Sequence, residues 1–141
     1  MSFYISESLR AKIAESDRHR CSYCLTSEIN SGIRMTYDHI YPRSKGGETS
    51  FENVCLACQS CNEFKSNIIE AIDPLTGETV SLFHPRQQLW SNHFQWSSDG
   101  TQIEGITAVG RATVTALRTN NPVIVATRRR WVAVGWHPPA D

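Results

Sequence analysis

Cys21-Ser22-Tyr23-Cys24 and Cys58-Gln59-Ser60-Cys61 put two C-x-x-C pairs in one chain, with 33 residues between them. Each pair is short enough to turn two thiolates toward one ion. Two such knuckles supply the tetrahedral set of soft ligands that zinc prefers. The separation is wider than that of a simple zinc ribbon, so secondary structure must fold between the pairs. The N-terminus lacks an apolar run of signal-peptide length, and nothing approaches the roughly 20 apolar residues of a membrane span. A soluble cytoplasmic protein without a membrane partner is expected. Thiols stay reduced in that compartment, which favours metal ligation over disulfides. Structural Zn2+ on Cys21, Cys24, Cys58 and Cys61 is therefore the first expectation. A site closed by four thiolates has no position for a substrate, so any chemistry must lie elsewhere. Cys55 is out of register with both pairs and reads as a small buried side chain.

The segment between the knuckles carries the residues suited to chemistry. Residues 33–40 alternate apolar and polar and predict a strand. Pro42 and Gly46-Gly47 break it, leaving a polar loop over residues 41–52. Residues 53–56 form a short return strand, and residues 59–69 are compatible with a helix. Asp38-His39 then lies at the end of the first strand, and Asn62 at the start of the helix, one residue after the last cysteine. Asp38 and Asn62 offer hard oxygen donors suited to Mg2+ or Mn2+, ions that keep several waters and accept phosphate. Neutral His39 can take a proton from an attacking water near physiological pH. Neighbours on a regular strand point to opposite faces. Asp38 and His39 can serve one phosphate only if the strand ends or bulges there; otherwise Asp38 is structural.

Around this segment, residues 5–18 predict a short amphipathic helix capped by Ser6 or Ser8. In the second half, residues 79–83 alternate like a strand. Residues 94–96 and 102–106 flank Ser97-Ser98-Asp99-Gly100 as a hairpin. Thr107 can cap a helix bearing Val109, Ala112, Thr113, Ala116 and Leu117 on one face. Asn121-Pro122 can start another that ends near Gly135, although Val123-Ile124-Val125 is also compatible with a strand. The 14 basic and 14 acidic residues balance, which argues mildly against a nucleic-acid partner. Yet Arg111, Arg118, Arg128, Arg129 and Arg130 fall in a stretch, residues 106–137, without an acidic residue. That stretch is a candidate phosphate-binding patch. The four tryptophans read as core of the second half.

Taken together, Cys21-x-x-Cys24, Tyr37-Asp38-His39-Ile40-x-Pro42, Lys45-Gly46-Gly47, Asn53, Cys58-x-x-Cys61-Asn62 and Lys65 resemble the HNH endonucleases over about residues 15–70. The resemblance implies a ββα-metal fold. It makes His39 the general base, Asp38 a ligand of the catalytic ion, and Asn53 the brace of the loop that holds His39. Asn62 takes the third motif position, where many members carry His, so this chain would be an H-N-N variant. Lys65 falls where a basic residue often lies near phosphate, and Arg43 and Lys45 are weaker candidates for the same task.

The expectation is an α+β protein. Residues 1–72 form the HNH module, clamped by the four-cysteine zinc site. Residues 73–141 form a hairpin-plus-helices extension that binds DNA through Arg128, Arg129 and Arg130. The expected activity is divalent-metal-dependent hydrolysis of DNA, with Asp38 and Asn62 holding the ion. Double-strand cutting would be easiest for a homodimer. A non-catalytic zinc module that binds nucleic acid or protein, and a ribonuclease, are the alternatives.

Overall fold

In the structure, a computed structural model that describes residues 4–140, the chain opens with helix α1 (Glu7–Ser16). Its first turn is closed by the Ser6 hydroxyl, which accepts from Leu9 N at 3.2 Å. The first cysteine knuckle follows, then a single helical turn, α2 (Glu28–Ser31), capped by Ser27. Strand β1 (Thr36–His39) runs antiparallel to β2 (Val54–Ala57), with Thr36 opposite Ala57 and His39 opposite Val54. Helix α3 (Gln59–Lys65) completes a ββα unit. The expected strand over 33–40 is thus trimmed to four residues.

The expected helix over 59–69 stops at Lys65. Ser66 takes a positive φ of 48°, and Glu70–Ile72 then forms β3, which pairs with β4 (Thr79–Ser81). The Asp73 carboxylate holds the turn between them by accepting from Leu75 N and Thr76 Oγ1. The hairpin of β5 (Phe94–Trp96) and β6 (Ile103–Gly105) matches the sequence reading. So do α4 (Ala108–Ala116), capped by Thr107, and α5 (Pro122–Ala133), capped by Asn121. The Asn121 side chain accepts from Ile124 N at 3.1 Å, and this local cap decides for helix where the β-branched run Val123-Ile124-Val125 left a strand open.

The ββα unit and the extension share one hydrophobic core. Ile13, Tyr23, Val54 and Leu56 from the first half cluster with Phe83, Phe94, Ile103 and Leu117 from the second. Trp90 fastens them directly, donating from Nε1 to Tyr23 O at 2.9 Å. No helix among the described residues is long and apolar enough to cross a membrane.

Arg86, which carries no motif, ties the two halves together through polar contacts. Its guanidinium meets Asp17 at 2.6 and 3.2 Å, donates to Phe51 O and Val54 O, and lies 4.2 Å over the Phe51 ring. Asp17 in turn accepts from Leu56 N, so the pair fixes the start and middle of β2 against the end of α1. Both side chains are largely buried, at 11% and 8% exposure. Removing one partner of such a pair strands the other charge out of water. Arg86→Met is expected to cost about 3–5 kcal/mol, measured by urea unfolding of the zinc-loaded protein. A loss below about 1 kcal/mol would place the pair among weak surface contacts.

Candidate metal centre and active site

The four motif cysteines converge as the spacing requires. Their sulfurs all lie within 4.8 Å of one another. Cys21, Cys24 and Cys61 are buried and Cys58 is half-buried. Each knuckle turns its backbone onto its own first sulfur: Cys24 N donates to Cys21 Sγ at 3.5 Å, and Cys61 N to Cys58 Sγ at 3.4 Å. Cys21 N also donates to Thr26 O, which closes the first knuckle. Four soft donors at this spacing, with N–H groups already aimed at sulfur, fit a tetrahedral zinc ion. Cys55 stands apart in β2. Burial pushes its thiol up to about 12, so it stays protonated beside Tyr23.

Helix α3 begins on the zinc site, since its cap is Cys58 and its first turn contains Cys61. It therefore carries Asn62 and Lys65 to β1 from a fixed start. Asn62 Nδ2 donates to Thr36 Oγ1 at 2.9 Å, while the Thr36 hydroxyl donates to Ala57 O at 2.7 Å. Because that hydroxyl proton is spent on Ala57, Oγ1 can only accept, and this sets the amide orientation of Asn62. Its Oδ1 is left as the oxygen offered to a ligand.

Asp38 and His39 do point to opposite faces. Asp38 turns inward, 4% exposed, to accept from Tyr23 Oη at 2.7 Å and from Lys65 Nζ at 3.2 Å. Lys65, 1% exposed, also donates to His39 O at 3.1 Å. Two sequence expectations are corrected here. Asp38 is not an open carboxylate awaiting an ion, because a tethered ammonium already holds it. Lys65 is not a solvent-facing phosphate contact, because its charge is consumed by the fold. Asn62 and Asp38, the two oxygen ligands expected for Mg2+ or Mn2+, both lie where α3 meets β1 on the same side of the strand, and an ion reaching Asp38 would meet the Lys65 ammonium.

His39 lies on the other face, against the 41–52 loop, with Nε2 2.8 Å from Thr49 Oγ1. Asn53 staples that loop: Oδ1 accepts from Tyr41 N at 2.9 Å, and Nδ2 donates to Tyr41 O at 3.0 Å and Glu48 O at 2.8 Å. The loop closes so tightly that a Cβ on Gly47 would sit 1.8 Å from Tyr41 O, and Gly46 takes a φ of +94°. Both glycines are required by the backbone. Burial first, then the positive charges of Arg43 and Lys65, lowers the His39 pKa from its ordinary value. The imidazole is thus neutral at physiological pH and able to accept a proton. Thr49 and Tyr23 had no signal in the sequence beyond lying near the motif.

The basic candidates divide. Arg43 and Lys45 are exposed on the turn after Pro42, near His39. Arg129 and Arg130 are exposed on α5, but Arg128 is wholly buried. It donates to Thr101 O, Thr119 O and Asn120 Oδ1 and lies 5.3 Å over the Trp96 ring. Its expected contact with nucleic acid is corrected to a structural one. Arg111 is likewise committed, forking onto Asp73 at 2.9 Å through both Nε and Nη2.

Residues 21–67 match the family model described as HNH endonuclease. That range, a third of the chain, holds all four cysteines, Asp38, His39, Asn53, Asn62 and Lys65, and the match suggests a nuclease-type function. No curated protein and no solved structure matches the chain.

The arrangement of charges around His39 sets its titration. The imidazole is expected to titrate below the ordinary histidine value of 6.5. Removing a nearby positive charge removes part of the penalty on the protonated ring, so Arg43→Gln should raise the pKa toward that value. Nitrogen-detected NMR of the ring follows both. A His39 pKa above 6.5, or one unmoved by Arg43→Gln, contradicts this electrostatic picture.

Proposed function

We propose that the chain hydrolyses phosphodiester bonds in DNA, with His39 as the general base that takes a proton from the attacking water. The observation that carries this reading is the His39 environment: a neutral imidazole, gripped by Thr49, on a loop stapled by Asn53. Positioning and a lowered pKa are what a base needs to act near neutrality. Arg43 and Lys45 on the same loop are the exposed cations suited to a phosphate backbone, with Arg129 and Arg130 as more distant contacts. A divalent ion such as Mg2+ or Mn2+ would supply charge to polarise the phosphate and stabilise the departing oxygen. Asn62 Oδ1 is the candidate donor for it, reaching from the Thr36–Asp38 face of β1, and Asp38 would join only by releasing Lys65.

The test is cleavage of supercoiled plasmid, linear duplex, single-stranded DNA and RNA by the zinc-loaded protein, with Mg2+, with Mn2+ and with neither. His39→Ala should lower the rate by about 10²–10⁴-fold, the usual contribution of a positioned base. The wild-type rate should fall as pH drops below 6.5 and level off above it, because only the neutral ring accepts a proton. Arg43→Gln should move that acid limb to higher pH. Equal cleavage by wild type and His39→Ala removes the assignment. Binding without cleavage under every ion condition makes the chain a zinc-stabilised binding module, and cleavage confined to RNA makes it a ribonuclease.

A further inference from the structure

Five arginines fall in residues 106–137, and the fold uses them differently. Arg111 forks onto Asp73, and Arg128 is spent in the interior on Thr101 O, Thr119 O and Asn120 Oδ1. Arg129 and Arg130 are exposed on α5. Arg118 is both exposed and held. Its guanidinium carbon lies 4.7 Å from the centre of the Phe64 ring, a cation–π contact between the extension and α3.

The backbone that carries this side chain is strained. Arg118 follows α4 in the left-handed region, at φ 49°, where glycine or asparagine is the ordinary choice after a helix. Asn121 pins it there: its backbone N–H and its Nδ2 donate to Arg118 O at 3.2 and 3.1 Å. Those two bonds fix the main chain from which the long side chain starts. An arginine kept in such a turn points to a use for its guanidinium.

The Phe64 ring takes one face of the guanidinium and leaves the N–H edge. Among the described residues, no hydrogen bond or ion pair engages that edge. Glu63, the carboxylate beside Phe64 in sequence, accepts instead from Gln59 Nε2 at 3.2 Å. A planar fork of donors, laid on an aromatic ring and open at its rim, matches the oxygens of a phosphodiester. Phe64 is 39% exposed, so a ligand can reach the pair. The pair is set apart from the reacting centre, because Asn62 points at β1 and Phe64, two residues on, lies about 200° around the helix.

We propose that Arg118, propped on Phe64, binds a backbone phosphate of the nucleic acid other than the one under attack. The extension and α3 then grip the substrate together. The inference rests on the nucleic-acid reading of the chain, though not on cleavage.

The test is binding of a fluorescent duplex DNA to the zinc-loaded protein, followed by anisotropy over a range of salt without added Mg2+ or Mn2+. Wild type is compared with Arg118→Gln, Arg118→Lys, Phe64→Leu and the double variant Phe64→Leu with Arg118→Gln. Arg118→Gln should lower the slope of log affinity against log salt by about 0.9, the share of one phosphate. The loss should be the same on duplexes of different sequence, as for a contact that reads no bases. Arg118→Lys keeps the charge and should keep the slope, with weaker binding because an ammonium lacks the planar fork. Phe64→Leu should weaken binding when Arg118 is present and add nothing once it is Gln. An equal fall of the slope in Arg118→Lys overturns the phosphate contact. An equal effect of Phe64→Leu in both backgrounds, including none, overturns the support by the ring. Wild type that binds no DNA overturns the nucleic-acid reading as well, whereas binding with an unchanged slope in Arg118→Gln overturns this inference alone.

Discussion

The convergence of four sulfurs within 4.8 Å is the constraint on which the rest depends. A β-hairpin of two four-residue strands is marginal by itself in water, and a seven-residue helix is shorter than isolated helices need to be. Neither piece of the ββα unit would hold alone. The sulfurs supply what is missing, because one knuckle precedes the strands and the other opens α3. Fixing both ends of the unit at one point removes most of the chain freedom between them, and the energy of metal binding becomes folding energy.

That clamp places two kinds of polar structure side by side. On the inner face of β1, Asp38, Lys65 and Tyr23 form a buried, hydrogen-bonded group. On the other face, His39, itself only 8% exposed, lies with Thr49 against the Asn53-stapled loop, whose Arg43 and Lys45 are exposed. The first network is a cost that the fold must recover through good geometry, and its value lies in fixing where α3 sits on the strand. The second is where a lowered imidazole pKa can be used. Adjacent residues in one dipeptide therefore do different physical work, and strand alternation alone separates them.

Local chemistry made much of this legible in advance. Ser6, Thr107 and Asn121 announced three helix starts because a cap is a contact between near neighbours. The cysteine spacing announced the convergence of four sulfurs for the same reason, and Asn53 hydrogen-bonds across the loop that follows β1. What was not legible was which charges the fold would consume. Arg86 and Asp17 meet across 69 residues of sequence. Arg128 is buried while Arg129 and Arg130 beside it are exposed, a choice made by how α5 lies against Trp96 and not by composition. Lys65 looked like a phosphate contact because nothing local showed that Asp38 would turn toward it. The break after Lys65 was also hidden, since it is set by Ser66 adopting a positive φ and by β3 pairing with β4.

The central claim is that zinc on the four cysteines holds β1, β2 and α3 in register. Amide hydrogen exchange of the zinc-loaded and metal-free protein tests it most directly. The Ile40 amide, bonded to Asn53 O, and the Asn62 amide, bonded to Cys58 O, report the hairpin and the helix start. The account predicts that both are protected with zinc and lose that protection when it is removed. Unchanged protection of both amides in fully metal-free protein would contradict it.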